Sequence, residues 1–238
     1  MKNITLVVMF YNEVYYLPTF LEGIKDTFFD CIFVDGGEDG SSTDGSISMI
    51  EKSGYKIYQK EFKYDWAGMK NYWLSLVRTK WRMVLDIDEI MSQGIKKFIY
   101  EFNDLSPSSN YCVSFFRDTY MDGGVIDAAP LDFPIRLFDE KVFYRSPSGT
   151  VHEQVIIHPT TQIQKFWGGR LFHKKDSFRQ ARNNLINELV IRGERTVPKN
   201  RGAFWNDERG KLQLVELIPE GRQIRLLEEF IEGPYVNI

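Results

Sequence analysis

The first 105 residues alternate short apolar runs with helical patterns, and this alternation constrains the fold more than any other feature. Ile4–Phe10 is apolar at almost every position, as expected of a strand that is covered on both faces. Segments with helical spacing separate it from three further strand-like runs, Cys31–Val34, Lys56–Gln59 and Arg82–Leu85. Because strands that alternate with helices build a parallel sheet, we predict an α/β fold with a Rossmann-like, mostly parallel central sheet flanked by helices.

The predicted helices begin and end at ordinary capping residues. They cover about Val14–Thr27, then Ser42 or Thr43 to about Lys52, Asp65 to Leu76, and Ser92 to about Phe102. The pattern changes after residue 105 to a mixed second half. There we predict strands at Tyr111–Phe116, Pro134–Phe138 and Val151–Ile157, and a long helix from Asp176 or Ser177 to near Gly193.

Charge and cysteine usage exclude some classes of function. Thirty basic and 33 acidic residues give a net charge of −3, which argues against a nucleic-acid binder that relies on phosphate neutralisation. Cys31 and Cys112 lie in apolar runs and are expected to be buried thiols. The first apolar run is too short to cross a bilayer and lacks a cleavage site. We expect a cytoplasmic protein with no transmembrane segment, and peripheral contact at the inner face of the membrane stays open.

Polar and acidic residues follow three predicted strands at the point where each strand ends. Asn12 and Glu13 follow the first strand, Asp35 follows the second, and Asp86 and Asp88 follow Arg82–Leu85. In open α/β sheets, ligands bind beyond the carboxyl ends of the strands. We therefore expect these side chains to share one site.

Asp86 and Asp88 suit a hard divalent cation. Mg²⁺ and Mn²⁺ prefer carboxylate oxygens and are commonly held by substrate phosphates as well. Residues two apart on an extended segment point the same way, so both carboxylates could face one ion. His173 offers an imidazole as a further ligand. Taken alone, Asp86-Ile87-Asp88 is better explained as an acidic surface loop, and only its position after a buried strand makes a metal site equally compatible.

Several other residues could contact substrate or take part in the reaction, and each could instead have a purely structural role. Glu153, beside His152, could deprotonate an acceptor hydroxyl, or the two could form a surface ion pair. Lys70 could contact a diphosphate from its predicted helix, or remain solvated. Three tryptophans could stack on sugar rings, with packing as the alternative: Trp66, Trp167 and Trp205.

These motifs, in this order, resemble the family 2 glycosyltransferases with a GT-A fold. The segments that carry the resemblance are Val7–Glu13, Phe33–Gly37, Ser42–Ser46, Ala67–Asn71, Leu85–Glu89, Pro134–Phe138, Val151–Glu153 and Leu171–His173. The pair Pro134–Phe138 and Val151–Glu153 is similar to a block of the branch that includes bacterial lipopolysaccharide-core glucosyltransferase-like proteins. The chain departs from the family pattern at Gly36, where a second Asp is usual, and at Lys70, where Arg is usual.

The resemblance implies an inverting transfer of a sugar from a nucleotide-diphosphate donor, by default a UDP-sugar, to a hydroxyl of a glycan or glycolipid. It assigns the donor to Asn12, Glu13, Asp35, Lys70 and Asp86. It assigns Mn²⁺ or Mg²⁺ to Asp88, Asp86 and His173, with Asp88 as the principal ligand, and the general base to Glu153.

The resemblance also implies a domain organisation. A GT-A domain is expected over residues 1–194, with a nucleotide-sugar half at 1–105, an acceptor half at 106–194, and a C-terminal extension at 195–238. Two alternatives stay open: a non-catalytic nucleotide-sugar-binding module, and a sugar nucleotidyltransferase. The second normally requires a basic, glycine-rich loop near the amino terminus, where this chain has Tyr11-Asn12-Glu13.

Overall fold

A nine-stranded mixed sheet organises the described part of the chain in a computed structural model of the protein. The structure describes residues 3–28, 30–37, 41–63, 65–105, 110–121, 124–125, 132–146 and 153–175. The chain divides into two units, Met1–Lys174 and Lys175–Ile238, and the sheet with its flanking helices belongs to the first unit.

The first half of the sheet is parallel. Its strands are β1 (Ile4–Phe10), β2 (Cys31–Asp35), β3 (Lys56–Gln59) and β4 (Trp81–Val84), arranged in the order β3-β2-β1-β4. The helices α1 (Leu17–Ile24), α2 (Ser46–Lys52) and α3 (Trp66–Leu76) connect them. Because these strands run the same way, the segments that follow β1, β2 and β4 emerge at one edge of the sheet.

The second half of the described chain is mostly antiparallel. Its elements are β5 (Glu89–Met91), α4 (Gln93–Leu105), β6 (Tyr111–Met121), β7 (Gly124–Val125), β8 (Ile135–Asp139), β9 (Phe143–Arg145), β10 (Gln154–Ile156) and β11 (Gln162–Lys175). The sheet continues from β4 in the order β8-β6-β11-β5, and β7 pairs with β6. β9 and β10 form a separate two-stranded sheet.

Apolar side chains cover the parallel strands on both faces. Along β1, Leu6 and Val8 point into one core cluster and Val7 points into the other, and all three are fully buried. Phe20 of α1 packs in the first cluster, and Trp73 of α3 packs in the second. This two-sided burial explains why β1 is apolar almost without interruption, and it confirms the predicted fold class.

Several predicted elements match the structure closely. β1 and β3 have the predicted bounds, and Asp65 caps α3 by accepting a hydrogen bond from the Gly68 amide at 2.8 Å. Cys31 and Cys112 are free, buried thiols as predicted, and burial raises the pKa of Cys112 to about 12. None of the helices in the described residues combines the length and apolar character that crossing a bilayer requires.

Other predicted bounds were wrong. α1 begins at Leu17, because the backbone before it forms a turn that is bonded to Ser42 and Asp44, which precede α2. α2 begins at Ser46, after Gly45 in a left-handed conformation (φ 95°), so neither Ser42 nor Thr43 caps it.

The strands β5, β9 and β11 were not predicted. Residues before Leu171 in β11 are largely exposed, so they show no alternation that would mark a strand. The predicted helix from Asp176 or Ser177, the residues His152 and Trp205, and the extension at 195–238 lie outside the described residues.

Candidate active site

The turns that follow β1 and β2 are joined by hydrogen bonds through Ser42. Its hydroxyl oxygen accepts a bond from the Asn12 amide at 2.9 Å and donates to Asp35 Oδ1 at 3.1 Å. The Thr43 amide donates to Asn12 Oδ1 at 2.8 Å. Asn12 adopts a left-handed conformation (φ 52°), which asparagine tolerates better than most residues. The structure thus brings together Asn12 and Asp35, as the sequence predicted.

Asp35 is the centre of the second turn. Its carboxylate is fully buried and accepts hydrogen bonds from the Gly37 amide at 3.2 Å and the Ser42 amide at 2.6 Å, besides the Ser42 hydroxyl. Burial raises the pKa of Asp35, although these hydrogen bonds act in the opposite direction. A side chain at Gly37 would meet the Tyr11 ring and the Ser41 amide at 3.0 Å. Asp35 and Gly37 therefore fix the shape of the turn.

Glu13 lies at the beginning of the same joined turns. Its amide donates to Ser46 Oγ at 2.9 Å, and the Val14 amide donates to Asp44 Oδ2 at the same distance. These bonds hold the backbone that follows β1 against the first residue of α2. The predicted donor residues Asn12, Glu13 and Asp35 thus form one rigid edge.

The segment after β4 carries three carboxylates, and a buried arginine joins two of them. Arg136 of β8 donates through one terminal nitrogen to Asp86 at 2.6 Å and to Glu89 at 2.5 Å. Arg117 of β6 donates to the same Glu89 oxygen at 2.9 Å. The Glu89 side chain has no exposed surface and that of Arg136 is 8% exposed, so each buried charge depends on the other.

Asp86 lies among positive charges. Burial opposes its ionisation, but Arg136 and Lys70 outweigh that effect and hold the pKa of Asp86 well below its usual range. His173 and Arg117 act in the same direction. Burial lowers and the carboxylates raise the pKa of Arg136, which lies above its usual range as a result. These neighbouring cations therefore favour the ionised form of the Asp86 carboxyl.

Asp88 and His173 form a second pair beside this network. Asp88 Oδ2 lies 3.3 Å from His173 Nε2, and the other ring nitrogen lies 3.3 Å from Thr119 Oγ1. β11 pairs with β5 so that His173 faces Glu89, and the Lys174 amide donates to the Asp88 carbonyl at 2.9 Å. Within the described residues, no arginine or lysine forms an ion pair with Asp88. The predicted pair Asp88 and His173 is thus in contact.

Asp86 does not join that pair as a third ligand in the structure. Among the described residues, no three His, Cys, Asp or Glu side chains converge as a group that could hold a metal ion. The Asp86 carboxylate is bonded to Arg136 instead. Mg²⁺ is usually bound through one or two carboxylates together with substrate phosphates. Two protein ligands, such as Asp88 and His173, are therefore enough for a site that the substrate completes.

The other predicted residues, Lys70 and Glu153, form an ion pair with each other. The Lys70 ammonium contacts Glu153 Oε1, and the two side chains are only 12% and 17% exposed. Asn71, next to Lys70, donates to the Tyr144 carbonyl and accepts from the Tyr144 amide, both at 2.8 Å. These bonds fasten α3 to β9, the strand that pairs with β10 directly after Glu153.

The structure adds residues that the sequence pattern did not single out. Arg136 lies inside the segment Pro134–Phe138 that contributed to the family resemblance, but nothing in its spacing linked it to Asp86. Arg117 and Glu89 complete the network. Of the acidic residues after β4, Glu89 is the buried one, and a buried carboxylate requires a compensating cation, but nothing in the sequence showed which arginine supplies it.

The tryptophans have different environments. Trp66 packs against Phe62 with 4.5 Å between ring centroids, as the packing alternative expected. Trp167 of β11 is 62% exposed and contacts Phe133 at 4.5 Å and Phe116 at 6.0 Å. Sugar stacking on Trp167 stays a prediction.

We expect Arg136→Met to destabilise the protein by about 3 kcal/mol, because it leaves the buried Glu89 with one cation and Asp86 with none from β8. Urea denaturation would measure the loss, and Arg78→Met at an exposed position is the matched control.

A carboxyl with a depressed pKa stabilises the fold above its unfolded pKa of about 4 and loses that contribution as the pH falls. Without Arg136, this contribution of Asp86 is smaller. The stability of the variant should therefore fall less than that of the original protein as the pH is lowered. Equal stability of Arg136→Met and Arg78→Met would contradict the role given to the network.

Half of the sequence matches a known protein family. The family described as "Glycosyl transferase family 2" matches residues 5–123, half of the 238-residue chain. Among proteins of curated function, none matches this chain. The segments that follow β1, β2 and β4, and the pair Asp86 and Asp88, lie within the matched residues, whereas Arg136, Glu153 and His173 lie beyond them.

Solved structures support the same fold. TarS 1-349 of S. aureus in complex with UDP-GlcNAc is 11% identical, covers 97% of this chain and 72% of its own, and gives a TM-score of 0.52. The same protein in complex with UDP gives a TM-score of 0.51, with 11% identity over 97% of this chain and 71% of its own. At this identity the likeness concerns the fold alone.

Proposed function

The chain belongs to glycosyl transferase family 2, a family of nucleotide-sugar-dependent glycosyltransferases, and we propose that it transfers a sugar with inversion to a hydroxyl of a glycan or glycolipid. The observation that carries the proposal is the assembly around Asp86. Arg136 and Lys70 lower the pKa of Asp86. The Asp88–His173 pair lies beside it, and Glu153 forms an ion pair with Lys70. Asp86 and Asp88 follow β4 at the edge where the parallel strands end, the usual position for a nucleotide ligand.

The donor is a nucleotide-diphosphate sugar in this proposal, with a UDP-sugar as the first choice. The joined turns at Asn12, Glu13 and Asp35 would hold the base and ribose, because they form a rigid edge at the ends of β1 and β2. The Asp86 side chain is 45% exposed although it is bonded to Arg136, so the ribose of a donor could reach it. Lys70, the remaining predicted donor residue, contacts Glu153 and adds positive charge near Asp86.

Mn²⁺ or Mg²⁺ is the cofactor we propose, and the residues present fit such an ion. Asp88 is 26% exposed and free of arginine contacts among the described residues, and His173 lies beside it, which gives one carboxylate and one imidazole. Asp86 is a further candidate ligand, although Arg136 holds it in the structure. When bound, the ion would offset the charge that develops on the departing diphosphate.

Glu153 is the proposed general base. Its carboxylate would accept the proton of the acceptor hydroxyl while that oxygen attacks the anomeric carbon and the nucleoside diphosphate leaves from the opposite face. Lys70 and the clamp from Asn71 to Tyr144 hold Glu153 near Asp86.

The acceptor and the location complete the proposal. Residues 118–132 are the proposed acceptor contact, and a lipopolysaccharide-core-like glycan is the acceptor class that the family resemblance favours. A cytoplasmic location, at the inner face of the membrane if the acceptor is a glycolipid, agrees with the buried free thiols Cys31 and Cys112.

A screen of nucleotide-sugars by thermal shift, with and without Mn²⁺, tests the proposal. A donor present at 100 times its Kd stabilises the native state by about 2.7 kcal/mol, which should raise Tm by roughly 5–10 °C for a domain of this size. We expect the rise to require Mn²⁺ and the matching donor to be slowly hydrolysed. Binding without any release of nucleotide would favour the non-catalytic module, and no shift with any donor would overturn the proposal.

A further inference from the structure

The ion pair between Lys70 and Glu153 has a consequence for catalysis. Lysines on exposed helix faces are usually solvated, whereas the Lys70 side chain is 12% exposed and contacts a carboxylate that is 17% exposed. The Lys70 ammonium also lies 5.0 Å from the centre of the Tyr144 ring and 5.8 Å from that of Trp73. Its position is thus fixed by a carboxylate and two aromatic rings.

The surrounding backbone is equally fixed. The two hydrogen bonds between Asn71 and Tyr144 join α3 to β9, and β9 pairs with β10 through Tyr144 and Val155. Lys70 and Glu153 therefore approach each other from two elements that are already fastened together. Their contact joins residues that are 83 positions apart in the sequence.

We infer that Lys70 is a positioning residue for Glu153 and does not act chiefly as a ligand of the donor diphosphate. The inference rests on the proposed function, in which Glu153 is the general base. Lys70 holds Oε1, and Oε2 is the oxygen that receives the acceptor proton. A single ammonium suits this task, because it engages one oxygen, whereas the guanidinium fork usual in the family would engage both.

Kinetics of Lys70→Met with the donor identified by the screen would test this role. Methionine keeps a similar unbranched length without the charge, so the base loses its partner while the packing persists. We expect kcat to fall by about 10- to 100-fold through misplacement of the base, with the donor KM changed by less than about twofold. Lys70→Arg restores the charge but can also engage Oε2, so it should recover only part of kcat. Lys97→Met, which removes an exposed lysine paired with Glu101 on α4, is the matched control and should keep full activity.

A double-mutant cycle with Glu153→Gln separates the two roles. If Lys70 acts through Glu153, adding Lys70→Met to Glu153→Gln should reduce kcat no further. Multiplied effects, or a large rise in donor KM with kcat retained, would make Lys70 a diphosphate ligand and overturn the inference while leaving the proposed function intact. Full activity of Glu153→Gln alone would instead remove the base from the proposed function. Lys70→Gln serves as the second variant if Lys70→Met does not fold.

Discussion

Asp88→Asn is expected to lower cation-dependent sugar transfer by about 100-fold or more, because an amide binds a hard cation far less well than a carboxylate does. Two carboxylates of the acidic segment, Asp86 and Glu89, are already bonded to arginines. Asp88 has no such partner among the described residues and is therefore the carboxylate best placed for an ion. Asparagine has nearly the same shape, so the contact of the Asp88 backbone with Lys174 should survive.

Activity as a function of Mn²⁺ concentration would measure the effect, with Asp26→Asn at an exposed position as the control. His173→Ala should weaken cation-supported nucleotide binding in calorimetry, since His173 contacts Asp88 directly. Full cation-dependent turnover in Asp88→Asn would show that the metal assignment is wrong. Unchanged nucleotide affinity in His173→Ala would return that histidine to a structural role.

Glu153→Gln is expected to reduce transfer by about 10²- to 10⁴-fold, the usual contribution of a general base. Glutamine keeps the size of the side chain and an oxygen that can still accept a hydrogen bond from Lys70, but it cannot take up the acceptor proton. Donor binding should therefore persist while the chemical step fails. This separation distinguishes a lost base from a disrupted fold.

Thermal shift with the donor and single-turnover kinetics would measure binding and chemistry separately. Glu22→Gln is the matched control, because the Glu22 side chain is 78% exposed on α1. A Glu153→Gln variant that binds donor and still transfers at the original rate would exclude Glu153 as the base. The next carboxylates to test would then be those of residues 118–132.

The parallel half of the fold followed from local sequence patterns. β1 and β3 have the predicted bounds, and Asp65 caps α3 as expected, because burial on both faces and capping leave marks over a few consecutive residues. β11 left no such mark. Much of its length is exposed, so its strand conformation results from pairing with distant strands such as β5 and not from its own side chains.

In the candidate site, too, some residues could be predicted from local sequence and others could not. Spacing after buried strands identified Asn12, Asp35, Asp86 and Asp88, since parallel strands bring their carboxyl ends to one edge. The partners of those residues did not follow from spacing. Arg136 meets Asp86 across 50 residues of sequence, and Lys70 meets Glu153 across 83.

The sequence by itself determined the fold class, the acidic segment and the family resemblance, because each depends on residues that are close together in the chain. The tertiary structure decided which charges meet. It bonded Asp86 to Arg136, set Asp88 beside His173, and joined Lys70 to Glu153, because a charge that is removed from water must find its partner in space wherever that partner lies in the sequence.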